Sequence, residues 1–338
     1  MRYKLLGRSG LKVSELALGT MTFGEDWGWG ASIEESRKQF DLFTEAGGNF
    51  IDTSVNYTNG TSEQFVGNFI QANRDYYILS TKYSLSRNWD DPNAGGNSRK
   101  NMMASVETSL RRLNTETIDL FWLHMWDYLT PVDEVMRGLD DLVHSGKVLY
   151  IGVSDTPAWV VSRANMLAEM RGWAQFVGLQ IPYSLIRRDA ERELLPMAKE
   201  LGLAVTPWGI LDAGILTGKY TESPAAPKRL GNEVQIDQRE QHIINTVKEV
   251  AEEVGRSRAQ VAINWVRQRQ FRSLIIPILG ARTEDHMRDN LACLEWELNE
   301  EQIERLDKAS QIELGFPHGF LEGNRYVFGN TFELIDKP

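Results

Sequence analysis

The chain has a single cysteine, Cys293, among 338 residues, so no intrachain disulfide can form. A protein of this length can build its core without one in a reducing compartment. No run approaches the roughly 18 apolar residues of a membrane span, and Met1-Arg2-Tyr3-Lys4-Leu5-Leu6-Gly7 offers neither the apolar stretch nor the cleavage site of a signal peptide. Together these absences predict a soluble, cytoplasmic protein with no membrane partner. Positive charge is in deficit: 37 Lys and Arg face 47 Asp and Glu, a net charge of −10, with no basic block. A surface that tracks a phosphate backbone is thereby disfavoured, and nucleic acid is not an expected partner. The 5 histidines are scattered and no His or Cys pair has ligand spacing, so no metal is expected. There is no Walker lysine pattern and no nucleophile-elbow serine, and Gly28-Trp29-Gly30 lacks the third glycine of a dinucleotide fingerprint.

What is present is an average globular composition, 42% apolar and 25% charged, long enough for two modest domains or one large barrel. The pattern decides between them. Short apolar runs at Leu16 to Leu18, Phe50-Ile51, Tyr77 to Leu79, Ile118 to Leu123, Val148 to Val153, Phe176 to Leu179, Leu203 to Val205 and Leu274 to Ile276 alternate with amphipathic stretches. Most starts lie about 30 residues apart, the length of a strand-plus-helix unit. Ser32-Ile33-Glu34-Glu35 reads as a capping box with Phe40 and Phe43 on one face of the helix that follows. Thr130-Pro131 and Thr156-Pro157 read as a cap followed by proline at the first helical position. Met102, Val106, Leu110 and Leu113 form one helical stripe.

No linker divides these units, so residues 1–338 are expected to form one α/β domain, a (β/α)8 TIM barrel. An N-terminal β-hairpin over 2–14 would cap its bottom. The seventh unit is enlarged over 221–256, and an aromatic-rich tail over 311–338 would lie on the substrate side. Nothing in the pattern specifies an oligomeric state.

Active sites of such barrels lie at the carboxyl ends of the strands. In order, the runs end in Asp52, Lys82, His124, Ser154-Asp155, Gln180 and Trp208. Singly, each has an ordinary reading as a helix cap, a satisfied core residue or a solvated side chain. Jointly, an acid, an amine and an imidazole ending successive strands would meet in one pocket and perturb one another's pKa values.

Asn49-Phe50-Ile51-Asp52-Thr53-Ser54-Val55-Asn56-Tyr57, Ser80-Thr81-Lys82 and Asp119-Leu120-Phe121-Trp122-Leu123-His124 resemble the aldo-keto reductase superfamily. The likeness extends from Leu6-Gly7-Arg8-Ser9-Gly10 through Leu110-Arg111-Arg112-Leu113 and Leu216-Thr217-Gly218-Lys219-Tyr220 to Gly280-Ala281-Arg282. Gly152-Val153-Ser154-Asp155-Thr156-Pro157-Ala158-Trp159 and Pro207-Trp208 point to its aryl-alcohol dehydrogenase-like branch. The resemblance implies a reductase of aldehydes or ketones that uses NADPH rather than NADH, with the tetrad Asp52, Tyr57, Lys82 and His124. Tyr57 would be the proton donor, its phenol drawn towards phenolate by Lys82, with Asp52 keeping Lys82 ionised and His124 bonding the carbonyl oxygen.

By the same resemblance Ser154, Asp155 and Gln180 would hold the nicotinamide carboxamide, Trp208 would stack on its ring, and Gly19, Thr20 and Met21 would lie near its ribose. Gly209, Leu211, Gly214 and Lys219 would approach the pyrophosphate, and Asp52 would border the ring. Gly280, Arg282, His286 and Asn290 would surround the adenosine phosphate at a helix start capped by Thr283, with Arg229 the alternative phosphate ligand. Trp27, Trp89 and Trp126 would line a pocket for a flat or apolar carbonyl compound. Asp90 to Gly96 reads as a mobile loop. Two other functions are compatible with parts of the pattern. A redox-sensing regulatory subunit would bind the cofactor without turnover, and a barrel hydrolase using Asp52 would need no nicotinamide.

Overall fold

The computed structural model describes residues 1–220, 234–269, 275–321 and 324–336. Arg229, Leu274 and the first part of the expected seventh-unit enlargement lie outside the described residues. Strands β1 (Tyr3–Leu5) and β2 (Lys12–Ser14) pair antiparallel. The next eight, β3 (Ala17–Gly19), β4 (Phe50–Asp52), β5 (Ile78–Tyr83), β6 (Ile118–Leu123), β7 (Val148–Ser154), β8 (Phe176–Pro182), β9 (Ala204–Trp208) and β10 (Ile278–Leu279), form one parallel sheet. They follow chain order, with β10 beside β3. A parallel bridge from Val205 to Ile275 joins β9 to the segment leading into β10 and closes the ring. The (β/α)8 barrel read from the rhythm of the sequence is therefore the observed fold.

The eighth strand begins later than expected. Ile275 makes an isolated bridge to β9, and the strand proper starts at Ile278, because Pro277 between them has no N–H for the ladder and contributes only its carbonyl, which accepts from Ala17 at 2.9 Å.

Helices α1 (Ile33–Glu45), α2 (Thr61–Ile70), α3 (Arg99–Leu113), α4 (Val132–His144), α5 (Ala158–Arg171) and α6 (Leu194–Leu201) fill the successive connections. α7 (Gln238–Val254) and α8 (Arg258–Gln268) both lie between β9 and β10, and α9 (Glu284–Leu291) and α10 (Glu300–Ser310) follow β10. α3 buries Met102, Val106, Leu110 and Leu113, the stripe read from the sequence.

The caps differ from the sequence reading. Ser32 accepts from the Glu35 N–H at 3.3 Å, but the Glu35 carboxylate does not return to the cap: it accepts from the Glu284 N–H at the start of α9. Pro131 and Pro157 are themselves the N-cap residues of α4 and α5, in extended conformation. Thr130 and Thr156 turn their hydroxyls to Asp127 and to the Ser154 carbonyl instead.

Inside the barrel, Trp122 is fully buried among Leu6, Val13, Phe50, Leu120 and Ile276, so the hairpin supplies Leu6 and Val13 to the floor. At the opposite rim the segment after β8 anchors the start of the tail: Arg188 donates to the Asp307 carbonyl at 3.0 Å and Arg192 to the Glu313 carbonyl at 3.0 Å. The tail thus begins on the carboxyl side, with Phe316, Phe320 and Tyr326 exposed. Among the described residues no helix is long and apolar enough to cross a membrane, and no acid, His and Cys group could hold a metal ion.

Candidate active site

Successive strands of a parallel barrel point alternate residues inward, so the last inward residue of each strand arrives at a common mouth. Lys82, from β5, is fully buried there. An ammonium has three protons and no acceptor, and a buried one must place all of them. Lys82 Nζ does so on Asp52 Oδ2 at 2.6 Å, the Thr53 carbonyl at 2.8 Å and Tyr57 Oη at 3.1 Å. The other Asp52 oxygen accepts from Ser80 Oγ at 2.8 Å and Gln180 Nε2 at 3.2 Å, so the carboxylate is held on both sides. Burial alone would lower the Lys82 pKa, but Asp52 and Tyr57 together outweigh it and leave it above the ordinary lysine value.

Tyr57 differs electrostatically from the sequence expectation. Loss of hydration raises its pKa more than the Lys82 charge lowers it, so the free site holds a neutral phenol rather than one drawn towards phenolate. His124 stands edge-on to Tyr57, ring centroids 5.9 Å apart. Burial, reinforced by the Lys82 charge, keeps its pKa well below the usual imidazole range, which makes the ring neutral at physiological pH. Its Nδ1 lies 3.2 Å from Ser54 Oγ, which donates to Asn56 Oδ1 at 2.7 Å. Ser54, Asn56 and Ser80 were not singled out by sequence reading. Their signal is a contact across 70 residues in one case and a strand register in another, neither visible in local pattern.

The loop carrying Tyr57 is strained. Thr58, Asn59 and Gly60 take φ of 44°, 55° and 100°, all in the left-handed region. Arg112 of α3 grips it, donating to the Val55 carbonyl at 2.7 Å, the Asn59 carbonyl at 3.4 Å and the buried Glu63 carboxylate at 3.2 Å. Thr81, next to Lys82, donates to the other Glu63 oxygen at 2.7 Å.

At the ends of β7, β8 and β9 stand Ser154, Asp155, Gln180 and Trp208. Ser154 Oγ is buried and has no hydrogen-bond partner among the described residues. Asp155 has the left-handed φ of 38°. Its carboxyl is lifted by burial to about 6, against a hydrogen bond from Trp208 and the Lys82 charge, which pull it down. Trp208 is 40% exposed, unusual for an indole at the end of a core strand.

The remaining candidates fall into groups. Gly19 ends β3 beside Asp52, and Thr20 spends its hydroxyl on the Asp52 carbonyl at 3.0 Å and on Ser62. Met21 is half-buried next to them. Gly209 borders open space at the end of β9, while Leu211 packs against the core. Gly214 lies under Lys219: a Cβ there would meet Lys219 Nζ at 2.5 Å. Loss of hydration, then the Arg282 and Lys219 charges, lower the His286 pKa, so these three basic groups share one neighbourhood at the start of α9. Asn290 instead donates to the Gly280 carbonyl at 3.2 Å, which fixes the turn before that helix. A cleft of about 390 Å³ is lined by Glu25, Gly28, Trp29, Gly30 and Arg282, so the glycine segment with no complete fingerprint faces the expected phosphate ligand.

The tryptophans are dispersed. Trp126 is nearly buried, Trp27 donates to Asn59 at 3.3 Å and lies 5.6 Å from the Trp29 ring, and Trp89 is 93% exposed.

The model of the aldo/keto reductase family matches residues 15–311. The chain belongs to that family. Its relatives include the aryl-alcohol dehydrogenase [NADP(+)] of Phanerodontia chrysosporium, 40% identical over 97% of this chain and 89% of that protein. Norsolorinic acid reductase B of Dothistroma septosporum is 38% identical over 96% and 86% of the two chains. The putative aryl-alcohol dehydrogenase AAD14 of Saccharomyces cerevisiae is 35% identical over 95% and 89%. The resemblance read from the motifs, including its aryl-alcohol dehydrogenase-like character, is borne out. This aldo/keto reductase is an oxidoreductase of the class that reduces carbonyl compounds.

Proposed function

We propose that this aldo/keto reductase converts an aromatic or apolar aldehyde or ketone to the alcohol with NADPH, Tyr57 donating the proton, and that NADH serves it less well. The observation that carries this reading is the Lys82 hydrogen-bond set. Because Tyr57 Oη accepts from Lys82, its own proton is directed elsewhere and is available to a substrate oxygen. As that proton leaves, the ammonium stands 3.1 Å from the forming phenolate, in a site where water would screen little. Asp52 keeps Lys82 charged and aimed, and neutral His124 orients the substrate oxygen without adding a second cation.

The fit to a nicotinamide cofactor rests on the buried Ser154 Oγ, which has no partner among the described residues, and on the exposed Trp208 face. A carboxamide would satisfy the first and a planar ring the second. Ser154, Asp155, Gln180 and Trp208 would hold the ring end. Gly19, Thr20 and Met21 would border its ribose, and Gly209, Leu211, Gly214 and Lys219 its pyrophosphate. Gly280, Arg282, His286 and Asn290 would take the adenosine phosphate, and the naming of a relative for NADP(+) supports that choice. Once bound, the reduced cofactor supplies the hydride. Trp27, Trp89 and Trp126 would flank the substrate, and residues 1–338 would act as one unit in the cytoplasm.

A panel of aryl and alkyl aldehydes, followed by NADPH and NADH absorbance, tests the reading. Turnover should be seen with aryl aldehydes and favour NADPH. Tyr57→Phe should bind NADPH as wild type does yet lose about 100-fold to 10,000-fold in rate, the usual contribution of general acid catalysis. A loss below about tenfold would remove Tyr57 as donor. Cofactor binding with no turnover on any carbonyl would favour the sensor function instead.

A further inference from the structure

The groups gathered around Tyr57 sum to no net charge. Asp52 and Lys82 form an ion pair, the Tyr57 phenol keeps its proton, and the His124 ring has lost its own. Asp155 breaks that balance. Its carboxyl is half-buried at the end of β7, and among the described residues it makes no salt bridge. The cation nearest in influence, Lys82, is already held by Asp52 at 2.6 Å. Asp155 is also fixed in place. Its N–H donates to the Gln180 carbonyl at 3.3 Å and its carbonyl accepts from the Trp126 N–H at 3.4 Å, so its backbone is held on both sides. The left-handed backbone there is unusual for a residue with a side chain, and such strain persists where surrounding structure imposes it. A carboxylate thus sits among Ser154, Gln180 and Trp208 with no cation of its own.

We propose that Asp155 is the residue that discriminates the redox state of the cofactor, favouring oxidised nicotinamide, whose ring is cationic, over reduced nicotinamide, whose ring is neutral. The inference rests on the reading of this pocket as the nicotinamide site. The two cofactor forms differ only at the nicotinamide ring, which carries a positive charge when oxidised and gains a hydrogen at C4 and loses that charge when reduced. A fixed carboxylate supplies the missing counter-charge to one form and nothing to the other. By linkage, the bound equilibrium of carbonyl and reduced cofactor with alcohol and oxidised cofactor shifts towards alcohol and oxidised cofactor by the same factor as the affinities.

The experiment is calorimetric titration of NADP+ and NADPH into wild type and Asp155→Asn, which keeps the size and shape of the side chain and removes the charge. We expect the substitution to weaken NADP+ by about tenfold, the order of one partly buried charge pair, and NADPH by less than about twofold. An unchanged ratio of the two affinities, or a larger effect on NADPH, overturns the inference while leaving the cofactor site in place. Failure of wild type to bind either form overturns the site reading itself.

Wild type alone gives a second measurement. Asp155 titrates near pH 6, so the preference for NADP+ at pH 8 should shrink towards that of the Asn variant at pH 5.5. The groups facing Asp155 are Lys82, Tyr57 and the Trp208 N–H, and none of them titrates in that interval. Protonation of the cofactor phosphates or of His286 acts on both cofactor forms alike and cancels in the ratio. A ratio flat from pH 5.5 to pH 8 overturns the assignment.

Discussion

At the scale of single residues, the site shows how burial sets protonation. Asp155 has a folded pKa of about 6 against 3.8 for an unperturbed carboxyl. Between those values the folded state binds more protons than the unfolded one, so stability falls as pH rises through the window, and the penalty is complete above about 6. Asp155→Asn should therefore be more stable than wild type at pH 7.5, by at most about 3 kcal/mol at 1.36 kcal/mol per unit, and no more stable near pH 4. Urea midpoints at the two pH values check this, and equal gains at both would point to packing rather than charge. His124 has the opposite sense. Its folded pKa is depressed, so the unfolded chain gains the proton first and stability is lost as pH falls below about 6.5. Asp52, Lys82 and His124 could be singled out in the sequence because each ends an apolar run, whereas Tyr57, on the loop after β4, was reached only through the family resemblance. The direction of the Tyr57 shift was not legible, since it depends on how completely the pocket excludes water.

At the scale of elements, the segment between β4 and α2 is held by a neighbour rather than by its own sequence. Thr58, Asn59 and Gly60 are left-handed in succession, and a side chain at Gly60 would place Cβ 2.2 Å from Arg112 Cζ. The φ of 100° at Gly60 requires glycine there, the Arg112 guanidinium fills the space a side chain would take, and Arg112 compensates the strain by spanning two loop carbonyls and Glu63. Arg112→Ala should leave the buried Glu63 carboxylate without its cation, costing about 3 kcal/mol or more. It should also lower kcat more than it changes KM, because Tyr57 loses its fixed position while the pocket walls remain. Arg112→Lys keeps a charge but lacks the planar fork, and should recover stability better than kcat. Wild-type kcat in Arg112→Ala, measured where the protein is folded, would show the grip to be structural only. Helix stripes and strand starts could be read because they repeat at 3.6 and 2 residues. This grip could not, since it joins residues 57 apart in sequence. The Glu35 link to α9 escaped for the same reason, and so the capping box was only half correct.

At the scale of the molecule, the barrel closes around one large side chain. Trp122 points from β6 into the interior, where β7 and β8 present Gly152 and Gly178. A Cβ at Gly152 would lie 2.3 Å from Trp122 Cε3, and one at Gly178 2.9 Å from Trp122 Cη2. The three positions act as one packing unit spread over three strands, with Leu6 and Val13 of the hairpin sealing it from below. The strand rhythm announced a barrel, but the pairing of one tryptophan with two glycines follows from register, which the sequence does not print. Gly152→Ala should destabilise by about 1 to 3 kcal/mol, the usual effect of overpacking a filled core. Trp122→Phe removes volume, but it also removes a buried indole N–H that has no hydrogen-bond partner among the described residues. Its cost should therefore fall below that of an ordinary large-to-small change. The decisive quantity is their interaction. If Trp122 and the strand backbones compete for the same space, the double substitution should be more stable than the sum of the single effects predicts, by about 1 kcal/mol or more in a denaturant double-mutant cycle. Strict additivity would mean that the barrel relaxes around an added methyl by spreading its strands, and that its diameter is set by the ladder rather than by what fills it.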